Sequence, residues 1–201
     1  MASQAQRKLS DIKSILSPHD VGARACQRFG LKLSDVGLLK ITSGQLYVVD
    51  PGFMHPTLLS KLVKGAPVGE SKVKITEIAR GDNSGMPAFL VVLFDEVEKA
   101  ETLELAAKVK LRPGELQGHA SVDSGEICVI NAEAIPNDET MLFRFGDSLV
   151  KQRPSDKLAV IDTKIGAVVA KSGNGDGSYP VYWLTSSKGA MIALLIDFEN
   201  W

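Results

Sequence analysis

The stretch Ile41-Thr-Ser-Gly-Gln-Leu-Tyr-Val-Val-Asp50 recurs, matching in kind at nearly every place, as Val122-Asp-Ser-Gly-Glu-Ile-Cys-Val-Ile-Asn131. Each copy runs from an apolar residue through a Ser-Gly turn into a β-favouring apolar segment that stops at Asp or Asn. Farther on, each copy is followed by a strand, a Gly-Asp turn and a Pro-containing β segment. These are Gly81-Asp-Asn-Ser-Gly-Met-Pro-Ala-Phe89 in the first half and Gly175-Asp-Gly-Ser-Tyr-Pro-Val-Tyr182 in the second. Neither half alone is large enough to bury a sizeable core, so the repeat implies two units packed against each other. The expected fold class is mainly β (α+β): two related β-rich halves, about 36–94 and 118–201, formed by internal duplication. A bridging strand joins them, and N-terminal helices lie within residues 1–35.

Around those repeats the patterning reads as follows. In Ser3 to Ser17, Leu9, Ile12, Ile15 and Leu16 fall at helical spacing and Pro18 stops the run; a second helix is expected from Asp20 to Gly30. From Val36 onward the chain turns to short β-rich runs. Strands are expected at Gln45 to Val49, Val73 to Ile78, Ala88 to Phe94, within Ser121 to Asn131, and at Ile161 to Ala170, with helical turns at Thr57 to Val63 and Ala132 to Ile135. Alternation of Leu103, Leu105, Ala107, Val109 and Leu111 marks the bridging strand. Asn137 to Pro154 gives mixed signals. Ser172 to Trp183 carries glycines at 173, 175 and 177 and then Tyr179, Val181, Tyr182 and Trp183; it opens a final hairpin whose last strand, Ala190 to Phe198, is apolar enough to sit at a sheet centre.

Composition narrows the classes of function. An apolar fraction of 44% with 23% charged residues is that of an ordinary globular protein. A formal charge of -1 lacks the clustered cations that neutralise phosphates, which argues against a nucleic-acid partner. The apolar run Ala190 to Ile196 is too short to cross a bilayer, and the N-terminus has no signal-peptide core; no membrane contact and a cytoplasmic location are expected. The two cysteines, Cys26 and Cys128, read as small buried hydrophobes and not as a disulfide framework.

The Ser-Gly strand ending at Asp50-Pro51, the later Val122-Asp123-Ser124-Gly125 with Asn131-Ala132-Glu133-Ala134, and the closing Ser172-Gly-Asn-Gly-Asp-Gly-Ser-Tyr-Pro-Val-Tyr182 with Ile196-Asp197-Phe198 together form a recognisable set. Over about residues 41–198 the chain resembles the bacterial family catalogued as domain of unknown function 4241. The closing motif is the specific part. The resemblance implies an architecture and no mechanism.

The glycines at 173 and 175 fall short of a dinucleotide fingerprint, because strand residues follow where a helix is needed. Asp176 is a single carboxylate in its turn, too few for calcium, and His19, His55 and His119 stand far apart without ligand spacing; no metal and no cofactor are expected. Asp123, Ser124 and His119 could be arranged as a triad on paper, but no nucleophile elbow surrounds the serine. The favoured reading is a non-enzymatic protein-interaction or scaffold domain, whose binding residues are Asp176, Tyr179, Tyr182, Trp183, Asp123 and Ser124 and whose partner is a protein. Alternation of the aromatics over both faces of their strand should leave at least one exposed. The competing reading is a hydrolase or small-molecule enzyme with Asp123 and Asp176 in a cleft between the halves. A homodimer through an uncovered strand is a third.

Overall fold

A computed structural model describes residues 31–55, 61–94, 115–152, 155–185 and 190–198. The expected helices at Ser3–Ser17 and Asp20–Gly30, and the expected strand Leu103–Leu111, lie outside them. The described chain is mainly β, with eleven strands in two antiparallel sheets and one α-helix. The strands are β1 (Leu31–Ile41), β2 (Gln45–Val49), β3 (Lys61–Lys64), β4 (Gly69–Ile78), β5 (Pro87–Leu93), β6 (Glu115–Val122), β7 (Glu126–Asn131), β8 (Ala159–Asp162), β9 (Ala167–Lys171), β10 (Gly177–Thr185) and β11 (Met191–Asp197); α1 spans Glu139–Gln152. Among the described residues no helix is long and apolar enough to cross a membrane.

The six-stranded sheet runs β1-β4-β5-β11-β10-β6, and the five-stranded sheet runs β3-β2-β7-β9-β8. Alternate residues of both face inward and make the main core, in which Leu39, Leu46, Val48, Val73, Leu90, Val129, Val181 and Ile196 are buried. On its outer side the five-stranded sheet is covered by α1, which sets Leu142 and Leu149 onto Val49, Met54, Cys128, Ile130 and Val169. As expected from its composition, β11 sits at the centre of its sheet, between β5 and β10.

From either edge of the larger sheet the order is alike: β1, its partner β4, then β5 on one side, and β6, its partner β10, then β11 on the other, with β5 and β11 paired at the middle. The pairing registers follow suit. In β1–β4, Gly37 faces Val73 and Asp35 faces Lys74, so Val36 is bulged out. In β6–β10, Gly118 faces Val181 and Leu116 faces Tyr182, so Gln117 is bulged out. Both glycines take positive φ, 144° and 129°. Each bulge also receives a side chain from an edge strand of the other sheet. A Cβ at Gly37 would lie 3.3 Å from Ile161 Cδ1 on β8, and one at Gly118 would lie 3.1 Å from Lys61 Nζ on β3. Bulges and covering side chains of this kind blunt exposed sheet edges.

Several expectations need correction. β1 is an eleven-residue strand that the pattern concealed, because the bulge at Val36 shifts the alternation: Leu31 and Leu33 pack on the outer face, Leu39 and Ile41 on the inner. Within the expected helical turns at Thr57–Val63, residues from Lys61 onward form β3. Ile161–Ala170 is not one strand; a turn at residues 163–166 divides β8 from β9. The mixed segment 137–154 contains α1, started by Asp138, whose Oδ1 accepts from Met141 N at 2.9 Å. The two Gly-Asp turns are also not counterparts: Gly81–Gly85 joins β4 to β5, whereas Gly173–Gly177 joins β9 to β10.

Candidate functional site

The repeated motif ends at Asp50 and Asn131, and these two side chains tie the halves together. Asp50 closes β2 and is 6% exposed. Its Oδ1 accepts from Gly52 N at 2.8 Å and from the Ser124 hydroxyl; its Oδ2 accepts from Asp123 N at 2.5 Å and Ser124 N at 2.8 Å. One carboxylate thus caps the 3-10 turn Pro51–Phe53 and holds the β6–β7 turn of the other half. Such charge-assisted bonds are stronger than neutral ones, and they offset the cost of burying the carboxylate. Gly52 is required by proximity, since an added Cβ would lie 2.5 Å from Ser124 Cβ.

Asn131 closes β7 and reaches the β1–β2 turn in the reciprocal direction. Its Oδ1 accepts from Thr42 N at 3.0 Å, while Nδ2 donates to Lys40 O at 2.7 Å and to Gly166 O at 3.1 Å. An amide suits this place because two of its three partners are carbonyl oxygens, which a carboxylate could not serve. Beside it lies an open depression of about 480 Å³, lined by Lys40, Thr42, Asn131, Glu133, Thr163 and Lys164 among others.

The nominated binding residues separate into two sets. Asp123 and Asp176 are exposed, and their turns touch: Ser172 N donates to Gly125 O at 3.1 Å. Both turns belong to the second half, at the end of the β2–β7 pair opposite the depression. Ser124 shares that end with its hydroxyl committed to Asp50. The aromatics are structural for the most part. Tyr179 is 5% exposed, packs edge-on against Phe198 with centroids 5.5 Å apart, and donates its hydroxyl proton to Gly175 O at 3.0 Å. Trp183 is 3% exposed and lies 5.7 Å from the Phe94 ring. Tyr182 points to the opposite face, where it packs half-buried beside Leu184 and Leu195. The turn itself is closed from within, Ser172 Oγ donating to Gly175 O at 2.8 Å.

Other chemistry is sparse. Among the described residues no group of three or more His, Cys, Asp or Glu side chains could hold a metal ion. Cys128 is fully buried, and burial together with the nearby Glu126 carboxylate pushes its thiol well above the usual range, the state of an unreactive sulfur. His55 meets Glu139 at 2.9 Å and the Phe143 ring at 5.9 Å, on the exposed side of α1. Sequence reading did not nominate Asp50 or Asn131, although their shared place at the end of the repeated motif was the available signal.

Comparison with curated proteins and with solved structures found no match. A family model described as Protein of unknown function (DUF4241) matches residues 39–196, a span from within β1 to within β11 that takes in Asp50, Asn131 and the closing glycine-rich motif, and the chain therefore belongs to that family.

Proposed function

We propose that this chain is a non-catalytic protein-binding domain, working in a reducing compartment, whose partner contacts the end that carries Asp123 and Asp176. One observation carries the reading: two buried polar side chains that might have done chemistry are committed to structural bonds, Asp50 by four donors and Asn131 by three partners. Asp123 and Asp176 stand exposed at that end, an acidic pair on two glycine turns braced against each other. A partner with a basic surface matches it. The test is a quantitative pull-down with an Asp123→Lys, Asp176→Lys double variant whose circular dichroism matches wild type. The variant should lose the partner that wild type retains. Equal recovery of the same proteins would remove the proposed surface.

We also infer that the scaffold arose by internal duplication. In support, β1-β2-β3-β4-β5 corresponds in order to β6-β7-β9-β10-β11, with α1 and β8 inserted into the second copy. Adding 81 to the positions of β1 and β2 gives 112–122 and 126–130, which overlap β6 at 115–122 and β7 at 126–131; the bulged Val36 then corresponds to Gln117, and Gly37 to Gly118. The β2–β7 pairing sets Val48 opposite its own counterpart Val129. At the other seam Phe94 N donates to Ile192 O and Phe198 N to Ala88 O, two bonds that exchange under the same two-fold relation. Bulges seldom arise twice at matched places by chance, being features kept within families.

A further inference from the structure

We infer that the seam between the two halves is an exchangeable interface, so that a second copy of this chain can supply either half and form a domain-swapped dimer. The inference rests on the duplication reading. Every tie across the seam joins one half to the other: β2 to β7, β5 to β11, Asp50 to Asp123 and Ser124, Asn131 to Lys40 and Thr42. None of these depends on the halves sharing a chain; a copy's first half offers the same strands and the same carboxylate to another copy's second half. What keeps pairing within one chain is the tether, residues 95–114, which holds the halves at high effective concentration.

The tether's required reach follows from the topology. β5 ends, and β6 begins, at the same end of the strands of the six-stranded sheet, with β11 and β10 between them. Three strand spacings come to roughly 14 Å. Two linking residues span at most about 11 Å, whereas ten span over 30 Å. Shortening the connection therefore switches the partner without touching a residue of the seam.

The experiment compares full-length protein with two deletion variants within 95–114, one retaining ten linking residues and one retaining two, by light scattering coupled to size exclusion. Both variants should unfold cooperatively on heating, and the two-residue chain should have about twice the mass of the ten-residue chain in solution. A second measurement uses two-residue chains carrying Val91→Cys or Leu195→Cys, co-expressed. They should give a covalent heterodimer on oxidation, because those positions face each other across β5–β11. A two-residue chain that stays a folded monomer, or that fails to fold while the ten-residue chain folds, overturns the inference. If it fails while a circular permutant joining Phe198 to Leu31 still folds, exchange is removed and duplication stands.

Discussion

Asp50, at the end of β2, holds Ser124, in the β6–β7 turn, by both its backbone amide at 2.8 Å and its hydroxyl. The contact spans 74 positions of sequence, and the tie that runs the other way, from Thr42 N to Asn131 Oδ1, spans 89. Asp50→Asn removes the charge from bonds to Gly52, Asp123 and Ser124 while keeping the shape. The expected cost is about 2–3 kcal/mol, or a fall in Tm of about 4–12 °C, measured by calorimetry. Ser124→Ala should cost less, because both backbone donors stay. A variant Asp50→Asn as stable as wild type would show that the carboxylate is not what holds the two halves.

Gly146 inverts the ordinary rule for a glycine inside a helix. Glycine to alanine usually stabilises a helix by about 1 kcal/mol, but here an added Cβ would collide with the Pro51 carbonyl oxygen and crowd Met54. Gly146→Ala should therefore destabilise by about 1–2 kcal/mol net, with chemical denaturation as the measure. Stabilisation would mean that α1 does not lie against the Pro51–Phe53 turn.

The two bulge glycines should behave alike. Gly37 and Gly118 both hold positive φ and both lie against a side chain from the opposite sheet. Gly37→Ala and Gly118→Ala are each expected to cost about 1–3 kcal/mol. If only one of the pair mattered, the correspondence between β1 and β6 would lose its main support.

Cys128 reports opening of the five-stranded sheet. Its sulfur is buried under α1, and its raised thiol ionisation leaves little thiolate at neutral pH. In a Cys26→Ser chain, labelling by a thiol reagent should be negligible until unfolding, and its rate should track the denaturation curve. Fast labelling of the folded protein would place α1 elsewhere.

How far the sequence disclosed this molecule depended on whether a local pattern matched a local structure. β5, β10 and β11 were legible because runs such as Ala88 to Phe94 and Ala190 to Ile196 are apolar and short enough for buried strands. β1 was not, since one bulged residue moves Leu39 and Ile41 to the face opposite Leu31 and Leu33. α1 was obscured by a glycine at its centre that only the neighbouring Pro51 carbonyl explains. At the candidate site Asp123 and Ser124 were picked for their side chains, yet both give backbone amides to a carboxylate 73 and 74 positions away. Tyr179 and Trp183 followed the commoner fate of strand aromatics and went into the core.

Val91 and Leu195 face each other across β5–β11, and the proposed two-fold relation between the halves would make them counterparts. Bonds from Phe94 N and Phe198 N fix the alternation there, making Val91 and Leu195 a pair not joined by backbone bonds, with Cα atoms about 4.5 Å apart. A disulfide fits that spacing. In a chain with Cys26→Ser and Cys128→Ala, Val91→Cys with Leu195→Cys should oxidise to an intramolecular disulfide, while Val91→Cys with Leu194→Cys, on opposite faces, should not. Cross-linking of the second pair in preference to the first would contradict the register on which the two-fold relation depends.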